Sequence, residues 1–113
     1  MSDPDCLFCK IVAGEIPADV VASTDRAVAF RDIDPKAPVH VLVVPRAHFP
    51  NVAAVAAENP ALLAAMAAVA QQVADVECGG EFRWIFNTGA AAGQTVFHAH
   101  GHVMNGGSLG WEA

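Results

Sequence analysis

Between Asn59-Pro60 and Gly79-Gly80 runs an alanine-rich segment in which Leu62, Leu63, Met66, Val69, Ala70 and Val73 recur at helical spacing up to about Asp75. Asn59 suits the N-cap. Pro60 suits the first helical position, where a missing N–H leaves nothing unpaired. This predicts one long helix, and the short β-rich runs on either side of it predict a sheet. Those runs are Val20 to Ser23, Ala27 to Phe30, His40 to Val44 and Phe82 to Asn87, with a last strand from Val96 to Met104. Thr24-Asp25-Arg26 turns the first pair into a hairpin. At the other end of the chain, Leu7, Phe8, Ile11 and Val12 share one stripe of a short helix that Gly14 can close. The fold class expected is α+β: about five antiparallel strands, a short N-terminal helix and one long helix. At 113 residues the chain is read as one domain, 1–113, with a glycine-rich tail from about 105 whose mobility depends on whether Trp111 docks.

Composition narrows the function classes. The longest unbroken apolar stretch, Ala61 to Ala70, is half of the roughly 20 residues that a membrane span needs, so no membrane crossing is expected. The first residues, Met1 to Asp5, lack a basic and then apolar leader. That makes the cytoplasm the expected compartment. Three cysteines, two of them only two residues apart at Cys6 and Cys9, suit a metal or redox pair better than a disulfide framework. A net charge of −6 opposes general binding to polynucleotides, leaving a small nucleotide in a local pocket as the nucleotide ligand to expect.

The chemistry concentrates near the C-terminus. His98, His100 and His102 are spaced by two, so in a strand their imidazoles project from one face about 7 Å apart, with Phe97, Ala99, Gly101 and Val103 on the other. Three of five histidines in one five-residue window is hard to explain as packing, because each buried ring needs a partner. Such a row can bind a divalent metal through neutral imidazoles, or supply a nucleophilic histidine flanked by others that orient it and move protons. Immediately upstream, Gly89 to Gly93 and then Gln94-Thr95 form a flexible loop with backbone N–H groups, an amide and a hydroxyl, which suits a phosphate.

The stretch Asn87-Thr88-Gly89 to Gly93-Gln94-Thr95-Val96-Phe97-His98-Ala99-His100-Gly101-His102-Val103-Met104 resembles the signature of the histidine-triad (HIT) family. Further back, Cys6 to Ile11, Gly14 to Ala18, Ala29 to Ile33 and Pro35 to His48 resemble the nucleotide-binding branch of that family, in the same order. The resemblance implies a purine nucleoside phosphoramidate hydrolase in which His100 attacks the α-phosphorus and forms a nucleotidyl-histidine that water then hydrolyses. Neutral imidazole is a nucleophile at pH 7 and a good leaving group once its adduct is protonated.

The resemblance also assigns His102 and His40 to the same pocket, with His98 completing the triad. Asn87, Gly93, Gln94 and Thr95 would contact the phosphate. Asp32 would accept both hydroxyls of the ribose, and Ile33 would pack on the base. It further implies a homodimer with one continuous sheet, and a structural zinc held by Cys6, Cys9, His48 and His98. Four protein ligands leave no open position, so no metal is needed for catalysis.

Two departures stand out. Gly101 replaces a bulky apolar residue usual between the last two histidines, which removes packing behind the strand. The tail lacks a histidine that some members carry. Competing functions are cleavage of dinucleoside polyphosphates or adenylyl anhydrides by the same nucleophile, a catalytic metal on His98, His100 and His102, and a non-catalytic zinc-stabilised nucleotide-binding module.

Overall fold

A computed structural model describes residues 3–110. In chain order the elements are α1 (Leu7–Val12), β1 (Val20–Ser23), β2 (Ala27–Arg31), β3 (Val39–Pro45), α2 (Val52–Glu58), α3 (Pro60–Cys78), β4 (Arg83–Ile85) and β5 (Gly101–Asn105), with a 3₁₀ turn at Ala90–Ala92. The strands form one antiparallel sheet in the order β1-β2-β3-β5-β4. The α+β expectation holds.

Local chemistry explains most boundaries. The Asn59 side chain accepts the Leu62 N–H at 3.1 Å and starts α3, and Gly79, in the left-handed region at φ 70°, ends it three residues beyond the expected Asp75. Helix α2 was not anticipated, although Asn51 caps it in the same way, accepting the Ala54 N–H at 2.9 Å. Its seven residues are too few for a periodic signal to emerge from so much alanine.

The sheet is covered differently on its two faces, as strand alternation requires. One face carries Ala27, Ala29, Val41, Val43 and Val103, packed against Leu62, Met66, Val69 and Val73 of α3. By length and composition α3 is apolar enough to cross a bilayer, but this stripe makes it the core helix of the domain. The opposite face carries Val28, Phe30, Leu42 and Val44, and the helix that lies over it is the short α1, through Phe8 and Cys9. One short helix cannot cover a five-stranded sheet. The remainder of that face is an open groove.

The last strand is shorter than expected. It begins at Gly101, so His98 and His100 precede it and only His102 lies within it. The register Val43↔Gly101, continued, sets Ala99 opposite Pro45, which has no N–H to donate. Pairing stops there, and the Ala99 N–H goes instead to the Phe49 carbonyl at 2.7 Å. Phe97 consequently does not share the core side with Ala99 and Val103; it is half exposed.

Gly101 was expected to loosen the strand. Instead, a Cβ there would lie 2.2 Å from Trp84 Nε1 and 2.6 Å from the Phe86 ring, so these aromatics occupy the space a side chain would have taken. Arg83 Nη1 donates to the Leu109 carbonyl at 3.3 Å, tying the tail to β4; Trp111 lies outside the described residues.

Candidate active site

The groove, about 910 Å³, runs across the strands on the α1 side of the sheet. Its floor follows from register: His102 pairs with Leu42, Leu42 with Phe30, and Phe30 with Val20, and the first three of these line it. At about 4.8 Å per strand, His102 and the start of β1 are some 14 Å apart, enough for an extended ligand lying flat. His100, His102 and Thr95 stand at one end, and Phe8, Ile11, Ile16 and Ile33 give the apolar walls. Ile33 is fully exposed beside Asp32, an unpaired apolar side chain at the mouth of a groove.

The hydrogen bonds decide which nitrogen of each histidine carries a proton. A carbonyl can only accept, so His100, whose Nδ1 lies 2.8 Å from the His98 carbonyl, holds its hydrogen on Nδ1 and leaves Nε2 bare. A backbone N–H can only donate, so His40, whose Nδ1 lies 2.9 Å from Lys36 N, holds its hydrogen on Nε2. That hydrogen points to His102 Nδ1 at 2.9 Å, which makes Nε2 the protonated nitrogen of His102. The His100 and His102 ring centroids are 5.1 Å apart, closer than the 7 Å between same-face positions of a regular strand. The groove thus presents a bare imidazole nitrogen beside an imidazole N–H.

All three rings are held neutral. Burial lowers the pKa of His100 and of His40, against the pull of nearby carbonyl and carboxylate groups. His102 is lowered to about 4, first by burial and then by its neighbours His100 and His40. Asp32 Oδ2 lies 3.3 Å from His40 Nε2, and Asp32 Oδ1 accepts the Asp34 N–H at 2.8 Å.

The first histidine of the row faces elsewhere. His98 is fully buried and donates Nε2–H to the Pro45 carbonyl at 2.8 Å, so its bare Nδ1 faces Cys6 Sγ at 3.3 Å, Cys9 Sγ at 3.4 Å and His48 Nδ1 at 3.2 Å. Cys9 Sγ lies 3.4 Å from His48 Nδ1. A tetrahedral zinc with ordinary bond lengths requires about 3.6 Å between sulfur and nitrogen ligands and about 3.3 Å between nitrogens. The four residues therefore fit a metal ion, and they fit zinc by ligand type. Backbone N–H groups of Cys9 and Asp3 point at the two sulfurs, at 3.3 and 3.4 Å, as partners of thiolates do. Burial raises the Cys6 thiol above its ordinary value, so a cation is what would keep that sulfur ionised.

The loop residues divide as well. Thr95 is exposed and lines the groove. Gln94, expected at the phosphate, is buried behind the loop: its Oε1 accepts the Gly89 N–H at 2.8 Å and its Nε2 donates to Pro50 and Val96 carbonyls at 2.7 and 3.0 Å. Its own N–H goes to the Gly89 carbonyl, so it keeps no free donor. Asn87 braces the same loop through the Ala92 carbonyl at 2.9 Å, and Gly93 stands at φ +93° with its N–H on the Ala90 carbonyl. Thr95 is thus the loop residue that meets the groove, while Gln94 gives the loop its shape.

The family model "HIT domain" matches residues 13–108. The purine nucleoside phosphoramidase of Escherichia coli strain K12 is 42% identical over 108 residues, 94% of this chain and 91% of that protein. An uncharacterised HIT-like protein of Synechocystis is 44% identical, covering 95% of each chain. The solved structure of a HIT family hydrolase from Clostridium thermocellum superposes with a TM-score of 0.91 at 38% identity, covering 98% of each chain. The chain belongs to the HIT family. Cys6 and Cys9 precede the matched segment, whereas His48 and His98 lie within it.

Proposed function

We propose that this protein is a nucleotide hydrolase that cleaves the P–N bond of purine nucleoside 5′-phosphoramidates. The observation that carries the reading is the pairing of a bare His100 Nε2 with a protonated His102 Nε2 at one end of an apolar groove. His100 Nε2 attacks the α-phosphorus, the P–N bond breaks, and the departing nitrogen takes a proton from solvent and leaves as a neutral amine. His102 holds a phosphate oxygen through its N–H while the charge develops, with His40 fixing its tautomer. Water then cleaves the nucleotidyl-His100 bond and restores the neutral ring. Asp32 accepts the ribose hydroxyls, Ile33 and Phe8 enclose the base, and Thr95 contacts the phosphate. The 42% identity to a protein named purine nucleoside phosphoramidase supports the nucleotide-hydrolase part of this reading.

Zinc at Cys6, Cys9, His48 and His98 is structural in this reading. It ties α1 to the segment before β5 and supplies no chemistry to the groove. The chain works as one HIT-like domain in a cytoplasmic homodimer, for which the half-buried aromatics Phe82, Trp84 and Phe86 along the edge strand offer an apolar surface.

The test is incubation with adenosine 5′-phosphoramidate beside a His100→Ala variant. AMP release by the wild type alone, with a nucleotidyl-His100 adduct trapped by mass spectrometry, is the expected result. Equal release by both proteins would sink the mechanism. Light scattering in solution reads the dimer.

A further inference from the structure

The groove is not the whole of the space around the reacting end. A second cavity of about 450 Å³ adjoins it, and Leu7, Thr95 and Val96 line both. With the nucleoside in the groove towards Asp32 and Ile33, the bond to be broken lies at the Thr95 end, where the two spaces meet. His100 stands at that end of the groove, only 8% exposed, and its Nε2 has no protein partner among the described residues. A group attached to phosphorus beyond that bond has the second cavity to enter.

The walls of this cavity have two characters. Leu7 and Phe97 are large apolar side chains left 44% and 50% exposed, and with Pro50 and Val96 they suit a hydrocarbon chain. The polar side is Asp3 and Asp5, and among the described residues no lysine or arginine lines the cavity or pairs with either carboxylate. Asp3 is held in place: its Oδ1 accepts the Asp5 N–H at 2.9 Å and its carbonyl accepts the Cys6 N–H at 3.0 Å. A divalent ion balanced by two thiolates at the adjoining corner adds no net charge, so the cavity stays negative. A cationic chain end meets opposite charge there and the face of an aromatic ring, whereas a carboxylate meets like charge.

We infer that this cavity is a leaving-group subsite, selecting phosphoramidates whose amine carries an alkyl chain that ends in a cation, with Asp3 and Asp5 as the residues that recognise it. This rests on the nucleotide-hydrolase reading above and adds the class of amine to it. Base and sugar are read on one side of Thr95, and the departing amine on the other.

The experiment measures binding to the full chain carrying His100→Ala, so that turnover does not intervene. Three AMP phosphoramidates of closely matched length are compared, with ω-aminopentyl, hexyl and ω-carboxypentyl groups on nitrogen. The aminopentyl compound is expected to bind about fivefold more tightly than the hexyl one, the scale of solvent-screened ion pairs, and the carboxypentyl compound more weakly than either. Asp3→Asn with Asp5→Asn should bring the first ratio to one, since the Asn oxygen still accepts the backbone N–H but the charge is gone. AMP affinity should stay unchanged in that variant, as should turnover of unsubstituted adenosine 5′-phosphoramidate when His100 is present. Asp5→Lys should move the carboxypentyl compound ahead of the hexyl one. A ratio of one with both carboxylates in place, or an undiminished ratio in the Asn variant, overturns the inference. If the wild type binds AMP but hydrolyses none of the three compounds, the P–N reading fails and the binding ratios still decide this one. Failure to bind AMP overturns both.

Discussion

Two histidine clusters grow from the same five-residue segment, and they handle protons in opposite ways. At the Cys/His corner, His98 gives its hydrogen outward to Pro45, and its bare Nδ1 converges with His48 Nδ1 and two sulfurs close enough to hold a metal ion. In the groove, Lys36, His40 and His102 pass hydrogen bonds in sequence, and His100 stands apart with its hydrogen tied to the backbone. Lone pairs that converge suit a cation. Donors and acceptors in series suit the transfer of a proton. Residue type is the same in both; the partner of the second ring nitrogen makes the difference.

Substituting one side at a time should separate the two clusters. His100→Ala is expected to reduce phosphoramidate turnover by at least about a thousandfold while bound metal and melting temperature stay at wild-type values. Loss of metal from that variant would mean that the clusters are one unit. Cys6→Ser with Cys9→Ser, or chelation, should do the reverse. Metal analysis should read zero, and the melting temperature should fall by roughly 10 °C, from about 3 kcal/mol of linkage at a hundredfold excess of metal over its Kd.

Gly101 sits between His100 and His102 and tests the scaffold behind both clusters. Gly101→Val must displace Trp84 and Phe86, so chemical denaturation should show a loss of about 1–3 kcal/mol. Trp84→Ala in the same chain should recover part of it. A neutral Gly101→Val would show that the aromatics do not depend on that space.

The smallest effect is expected from acid. His102 is held near 4 in the folded protein against about 6.5 when unfolded, so the unfolded chain binds the extra proton first as pH falls. Stability from this ring is therefore complete above about 6.5 and is lost as pH drops towards 4. His40 and His100, lowered by burial, act in the same direction. Metal-loaded protein denatured between pH 7 and 4 should lose stability smoothly, and His102→Gln should flatten that slope. An unchanged slope would mean that the groove rings are not held neutral.

Much of this was legible along the chain. Asn59-Pro60 and Gly79 bound the long helix because capping is local, and the β-rich runs separate at turns for the same reason. The Cys6-x-x-Cys9 spacing and the alternating histidines singled out the residues that the fold gathers into two clusters. Helix α2 was missed because seven residues, mostly alanine, carry little periodicity. The late start of β5 was missed because its cause, Pro45, lies on another strand. Gln94 was assigned to the phosphate because an amide after a glycine loop suits either role, and only the Pro50 and Val96 carbonyls consume it.

Residue type and local spacing determined which atoms could act: five imidazoles, two neighbouring thiols, one acid before a stiff proline loop and one glycine-rich turn. Tertiary structure alone decided which nitrogen of His98, His100 and His40 holds a hydrogen. That choice belongs to the group across the hydrogen bond, the Pro45, His98 or Lys36 backbone, and each of those is brought to its ring by the fold of the chain around it.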